Sequence, residues 1–307
     1  MRIYFNKVKE DWIVDRYINE WNQYNYKSVR SPFISNTLIW IIAPWTWRNV
    51  SKRNLKKQKV ICTIHHIDED KFNDIEKEEF LERDNYIDFY HVISNKTYSQ
   101  VNKLTDKPIF VIPFWVNQNL WFQIKDLDKL YSKYNLSKNS YFVGSFQRDT
   151  EGFDLKSPKL SKGPDQFIKI VKDLNTKHNN LVVLLTGRRR QYIINELKEE
   201  KIEFKYFEMA SFNELNELYN MLDLYIVSSR YEGGPAAIME CALTKTPLIS
   251  TNVGIADEIL PNQSIYNMSN FSDAKPDIDT AFHNVQKYKI PNGFNEFNLL
   301  LRRLYEN

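Results

Sequence analysis

The first 143 residues contain no glycine at all, and nothing after residue 121 is tryptophan. All eight glycines fall between Gly144 and Gly293, and all seven tryptophans between Trp12 and Trp121. The two halves of the 307-residue chain are therefore built differently, bulky and aromatic first, then rich in turns that let backbone approach a ligand. Cysteine is nearly absent. Cys62 and Cys241 lie far apart, one in each half, which argues against a disulfide framework and for a reducing cytoplasm. Long apolar runs are also missing: the best, Leu38 to Trp47, is too short to span a bilayer and is followed by Arg48. The opening MRIYFNKVKEDW lacks the apolar centre of a signal peptide. A net charge of +3 excludes little, but 42% hydrophobic content over this length is enough for two buried cores.

Short apolar runs alternate with helical patterns. Leu38–Ile42, Val60–Ile64, Phe89–Ile93 and Ile109–Ile112 read as strands in the first half. Tyr141–Gly144, Leu181–Leu185, Phe204–Phe207, Leu224–Val227 and Leu248–Ser250 do so in the second. Between them Asp165–Leu174, Tyr192–Glu199 and Asn213–Leu222 carry apolar residues at helical spacing, with capping signals at Ser211 and Asn213. This rhythm predicts βαβ units and parallel sheets, an α/β fold. Residues 291–307 read as a closing helix with Phe294, Phe297, Leu300, Leu301 and Leu304 along one side.

The richest local signal is the strand Leu224–Val227 running into Ser228, Glu232, Gly233, Gly234 and Pro235, with a helix from Ala236. A glycine turn opening a helix presents backbone N–H groups and the positive helix end to an anion. Pro235 suits the first helical turn. Glu232 and Glu240, with seven residues between them, frame that turn, and each carboxylate can accept two hydroxyl hydrogen bonds. The residues alone leave open both an anion site and a plain loop-to-helix turn with a surface glutamate.

This string resembles the E-x7-E segment of the retaining glycosyltransferases of family 4. Ser228, Glu232, Gly233, Glu240, Thr246-Pro247-Leu248-Ile249, Gly254 and Glu258 match in order. The resemblance extends upstream. Phe142-Val143-Gly144-Ser145-Phe146 with Arg148, then Lys162-Gly163-Pro164, look like the strand-Gly-Arg and Lys-Gly pair whose cations neutralise the donor diphosphate. The spacing here is longer, with TEGFDLKSP inserted; Lys156 and Lys159 are alternates for the role. Leu181–Leu185 followed by Thr186, Gly187 and Arg188-Arg189-Arg190 resembles the strand and turn beneath the nucleotide, a phosphate grip or a solvated turn. Phe207, in Lys205–Glu208, stands where the base is met. Val60–Ile64 ending at His65-His66 resembles a Thr-x-His strand end, with His65 facing the transferred sugar and His66 the alternate. His91–Asn95 and Val111–Asn117 resemble the pieces before the linker, with Trp115 in place of glycine.

The resemblance is firm over 140–260, moderate over 58–66 and 88–118, and absent elsewhere. The first half spans only about 120 residues and lacks the glycine-rich loop that normally follows the first strand. What it implies is a GT-B fold, two Rossmann-like parallel-sheet domains facing across a cleft: 1–122 on the acceptor side, 123–290 binding the nucleotide sugar, and 291–307 crossing back as a closing helix. The implied reaction moves a hexose from a UDP- or GDP-sugar, with retention and without a protein nucleophile, to a polysaccharide or lipid-linked acceptor. The implied catalytic residues are Arg148, Lys162, Glu232 and His65. Donor-binding residues are Gly144, Arg188, Phe207, Gly233, Gly234, Pro235, Ala236 and Glu240. No cofactor is implied beyond the nucleotide sugar. No metal is expected, because the acid-x-acid triplets at 68–70, 126–128 and 277–279 sit among ordinary surface charge. A non-catalytic, nucleotide-sugar-binding scaffold is the rival. A dinucleotide oxidoreductase is disfavoured because G-x-G-x-x-G is absent.

Residues 44–59 carry six cations, two tryptophans and no acid. Such a strip suits peripheral contact with an anionic inner membrane face, or a solvated helix over two core tryptophans. Nucleic acid is disfavoured, the basic residues being confined to this strip.

Overall fold

A computed structural model describes residues 1–6 and 13–306. The chain forms two compact units, one of Met1–Asn117 with Lys287–Asn307 and one of Gln118–Gln286. The sequence put the divisions at 122/123 and 290/291. Local bonds explain the placements: Val116 N–H donates to the Tyr288 carbonyl (2.9 Å) and Ile290 N–H to the Val116 carbonyl (3.2 Å). On the other side, Phe122 N–H donates to Asn216 Oδ1 (3.0 Å). Trp121 packs on Tyr219 with centroids 5.7 Å apart, so the last tryptophan belongs to the second unit.

The first unit is built from β1 (Ile3–Phe5), α1 (Ile13–Tyr24), β2 (Leu38–Ile41), α2 (Lys52–Lys57), β3 (Val60–Ile64), α3 (Asp74–Asp84), β4 (Phe89–Val92), α4 (Asn95–Val101) and β5 (Ile109–Val111). Its five strands are parallel and stand in chain order, β1-β2-β3-β4-β5. Strand β1 was not among the expected strands; three residues are too few to show alternation. The stretch after it, where the resemblance expects a glycine-rich loop, runs into residues 7–12 and lies, with Trp12, outside the described residues.

Alternation along β2, β3 and β4 divides the apolar side chains between two faces. Ile39, Ile41, Val60, Cys62, Ile64, Tyr90 and Val92 form one core with Trp47, Leu55, Phe80 and Val101. Trp40, Thr63 and His91 fall on the alternate positions. They form a relay: Trp40 Nε1–H donates to Thr63 Oγ1 (2.9 Å), Thr63 pairs with His91 Nδ1 (2.9 Å), and His91 Nε2 with the Ile112 carbonyl (2.7 Å). A carbonyl only accepts, so Nε2 carries the proton and Nδ1 accepts from the threonine hydroxyl. Over the relay lie Trp21 of α1 and Phe297, whose ring stacks on Trp40 at 5.3 Å and meets His91 at 5.0 Å.

The second unit contains α5 (Asp128–Tyr134), β6 (Tyr141–Ser145), α6 (Pro164–Lys177), β7 (Leu181–Thr186), α7 (Gln191–Glu199), β8 (Glu203–Phe207), α8 (Phe212–Asn220), β9 (Leu224–Val227), α9 (Ala236–Thr244), β10 (Leu248–Thr251), α10 (Ala256–Ile259), β11 (Ile265–Tyr266) and α11 (Ile278–Val285). Helix α12 (Asn295–Glu306) belongs to the first unit and buries Phe297, Leu300, Leu301 and Leu304, as its spacing predicts. Ser211 caps α8 through a reciprocal bond set with Glu214, while Asn213 lies inside the helix. The second sheet is parallel in the order β11-β10-β9-β6-β7-β8. Its strand order reverses between β6 and β9, and open sheets of this kind bind ligands outside the carboxyl ends of the strands at such a point. The two-residue β11 escaped the sequence reading. Two parallel-sheet α/β units are what the expected GT-B fold calls for.

Both cysteines are free and buried, and burial pushes the Cys62 thiol up to about 11. Among the described residues no helix is long and apolar enough to cross a membrane.

Burial holds the His91 imidazole down at about 3, against an ordinary 6.5, despite its bond to Ile112. Above the ordinary value both folded and unfolded chains carry it neutral. Between there and about 3 only the unfolded chain takes up the proton, so stability falls with falling pH by up to ~1.4 kcal/mol per pH unit. Urea unfolding across that window will show a shallower pH dependence in His91→Phe than in the unaltered chain. Equal slopes would contradict the neutral relay.

Candidate functional site

The site lies at the reversal between β6 and β9. Beyond β6 come Phe146, Gln147 and Arg148; beyond β9 come Ser228, Ser229 and Glu232. The turn Leu160–Lys162 and Gly163 stands between them. Gly163 adopts φ +62°, and a Cβ there would sit 1.8 Å from the Ser228 carbonyl oxygen. Only glycine permits both the backbone conformation and the approach. Several bonds close around this contact. Gln166 Nε2 donates to the Ser228 carbonyl (3.0 Å), and Arg230 N–H to the Ser161 carbonyl (2.8 Å). Gln147 Nε2 donates to the Lys162 carbonyl (3.0 Å). Arg230 grips Asp165 through two bonds of 2.8 and 2.6 Å. The result brings the Lys162 ammonium against Glu232 Oε1, both largely withdrawn from water.

The insertion between Arg148 and Lys162 does not separate them. Its ends meet: Lys159 N–H donates to the Asp149 carbonyl (2.8 Å), Glu151 N–H to the Ser157 carbonyl (2.9 Å), and Thr150 bridges Pro158. Residues 150–158 are a closed excursion, and Lys162 returns beside the strand end that carries half-buried Arg148. Of the alternates, Lys156 is exposed on the excursion and Lys159 lies 3.9 Å from Glu151.

The three arginines after β7 divide. Arg188 is exposed. Arg189, also exposed, lays its guanidinium against the Gly152 turn. Arg190 is wholly buried, pairs with Asp149, and donates to the carbonyls of Ser145 and Thr186 (both 2.6 Å). It ties the ends of β6 and β7 together beneath the site. Sequence reading missed this pair, because nothing local links residues forty-one positions apart.

Glu240 is buried on α9, where the Tyr219 hydroxyl donates to it at 2.9 Å. Burial, and then the charge of Glu240, push that phenol well up. Pro235 stands at the cap position of α9 rather than in its first turn, with Ala236 opening the helix. The Gly233 carbonyl is 2.2 Å from where a Cβ on Gly254 would lie, so Gly254 at φ +51° lets the 252–255 loop rest on the Gly233–Gly234 turn. Beside Gly144, a Cβ would meet the Leu222 side chain, so packing also favours glycine there. Phe207, half-buried at the end of β8, meets the Tyr134 ring edge-on at 5.3 Å.

His65 belongs to the first unit and is described there alone. It follows β3, with Nε2 held 2.8 Å from the Ile42 carbonyl and its ring beside Trp45 and Phe114. Of the basic strip at 44–59, Trp47 is core and Trp45 is 54% exposed. Arg48 pairs with Glu79 (2.7 Å) and Glu82 (2.8 Å), and Lys52 with Glu82 (3.2 Å), so α3 neutralises part of the strip.

Residues 156–284 match the family model described as Glycosyl transferases group 1. Over 191 residues the chain is 30% identical to a probable sucrose-phosphate synthase of Thermosipho melanesiensis, covering 61% of this chain and 40% of that protein. It is 23% identical over 186 residues to the O-antigen chain mannosyltransferase RfbU of Salmonella typhimurium, covering 58% and 50%. The chain thus spans half or less of these curated relatives. Anabaena Alr3699/HepE, solved in complex with UDP and glucose, superposes with a TM-score of 0.72 at 12% identity, over 98% of this chain and 99% of that one.

Ala at residue 163 combines a left-handed backbone with a clash against main chain, whereas Gly187, at φ +85°, has open space around it. Gly163→Ala should lose on the order of 3 kcal/mol in urea unfolding and Gly187→Ala about 1 kcal/mol. Equal losses would show that the Ser228 contact is not the constraint. Residues 156–284 are thus similar to glycosyl transferases group 1, and the fold is that of the GT-B class.

Proposed function

We propose that the chain transfers a hexose from a UDP- or GDP-sugar to a glycan or lipid-linked acceptor, with retention of configuration and without a metal. The observation that carries the reading is the Lys162–Glu232 pair at the strand reversal. Lys162 and Arg148 stabilise the leaving diphosphate, with the start of α9 assisting, since fixed cations aimed at developing charge stabilise a transition state without reorganisation. A diphosphate arriving at Lys162 competes with Glu232 for the ammonium and frees a carboxylate oxygen for a hydroxyl of the donor sugar. Glu240, oriented by Tyr219, takes the ribose diol. Arg190 is outside this set and holds the floor of the site.

The bond from the sugar's anomeric carbon to the diphosphate oxygen breaks, and the pair of electrons leaves with the diphosphate. The acceptor hydroxyl attacks from the same face, and its proton passes to the departing phosphate oxygen. No side chain forms a covalent intermediate. UDP is the favoured nucleotide, because HepE, with the same fold, is solved with it. The acceptor reading draws on the O-antigen chain relative.

Lys162→Ala should lower kcat by about 10² to 10³, the usual loss for one electrostatic contact to the transition state. Sugar release from UDP-glucose, UDP-galactose, UDP-N-acetylglucosamine and GDP-mannose, followed alongside the melting temperature, checks this. Full turnover in the variant would sink the assignment, and nucleotide binding without any sugar transfer would favour a scaffold.

A further inference from the structure

One hydroxyl hydrogen at the candidate site faces two acceptors. Ser229 is wholly buried just past β9, and its Oγ lies 3.3 Å from Gln147 Oε1 and 3.5 Å from Glu232 Oε1. The far end of the Gln147 amide settles which way it faces. It donates to the Lys162 carbonyl (3.0 Å), and a carbonyl only accepts, so the NH2 group stands there and Oε1 turns to Ser229. A carboxylate also only accepts, so both neighbours need the same hydrogen, and a serine has one to give. Each separation is longer than the usual ~2.8 Å of such a bond, so the hydroxyl is committed to neither. The Thr251 hydroxyl donates to the Ser229 carbonyl (2.6 Å), which fixes the backbone and leaves side-chain rotation as the remaining freedom.

The two acceptors differ in what else serves them. Glu232 Oε1 has the Lys162 ammonium against it, while Gln147 is neutral and only half-buried. With the ammonium in place the carboxylate is satisfied, and the hydrogen is available to Gln147. Once the ammonium turns to another anion, Glu232 Oε1 loses that donor. An ionised oxygen left unpaired in a largely buried position costs more than a neutral amide oxygen that water reaches. We infer that Ser229 is a positioning residue for Glu232: its hydroxyl turns from Gln147 to Glu232 when a nucleoside diphosphate draws Lys162 away, anchoring one carboxylate oxygen while the other meets the donor sugar. The inference rests on the reading of Lys162 as the partner of the diphosphate. It adds what keeps the carboxylate from swinging once its counter-ion has left. Because Ser229 acts through Glu232, its loss falls on turnover rather than on nucleotide affinity.

Two measurements on the whole chain test this. Ser229→Ala removes the hydroxyl without adding bulk, and Ser229→Cys, which keeps nearly the same size with only a weak donor, stands in should the alanine variant fold poorly. In either, UDP or GDP should bind with a Kd within about twofold of the unaltered chain, while kcat for sugar release from the matching donor falls about tenfold or more. Crystals of the unaltered chain with the nucleotide that binds should show Ser229 Oγ within about 3 Å of Glu232 and out of reach of Gln147 Oε1. Unchanged kcat in a folded variant, a loss of nucleotide affinity equal to the loss of kcat, or a hydroxyl still on Gln147 in the nucleotide complex would overturn the inference. The sugar-transfer reading fails separately. A nucleotide bound without turnover of any donor rejects transfer, and the crystal still decides whether the hydroxyl turns; with neither nucleotide bound, both readings fail.

Discussion

The contact between Gly163 and the Ser228 carbonyl is the constraint on which the candidate site depends. Two loops that leave neighbouring strands at the sheet's reversal approach until no side chain fits between them. Gln147, Gln166 and Arg230 then tie the loops together through main-chain carbonyls. Lys162, one residue before the glycine, rests with its ammonium against Glu232. A flexible lysine is thereby turned into a positioned charge, which is what electrostatic stabilisation of a leaving group requires. Arg190 supports the same arrangement from below by binding the carbonyls at the ends of β6 and β7.

The first unit solves a different problem. Its sheet buries polar groups on the face covered by α1 and α12, and does so without leaving them unpaired. The indole of Trp40, the hydroxyl of Thr63 and the imidazole of His91 are satisfied in series, ending on a main-chain carbonyl. Phe297 seals the relay.

Much of the second unit was legible because its determinants are local. Glycine before a helix, a capping serine, and a carboxylate beside a glycine pair each declare themselves within a few residues. Glu232 could be named that way, whereas Lys162 and Gly163 were named through the family resemblance. Three things could not. The pairing of Arg190 with Asp149 is decided by packing across distant segments, so three consecutive arginines read as one cluster when only one of them is buried. The excursion at 150–158 closes on itself through main-chain bonds that leave no composition signal. The short strands β1 and β11 carry too few residues for alternation to appear. Gly144 has a packing reason as well, since Leu222 fills the space beside it, and that contact carries no local signal.

In the proposed reaction, the loops at the β6–β9 reversal hold the diphosphate of a nucleotide sugar. A crystal structure of the chain soaked with UDP tests it most directly. The account predicts a phosphate oxygen within about 3 Å of Lys162 Nζ, the distance of a charge-assisted hydrogen bond, with Glu232 released from that ammonium. A nucleotide bound elsewhere, or bound with the Lys162–Glu232 pair intact, would contradict it.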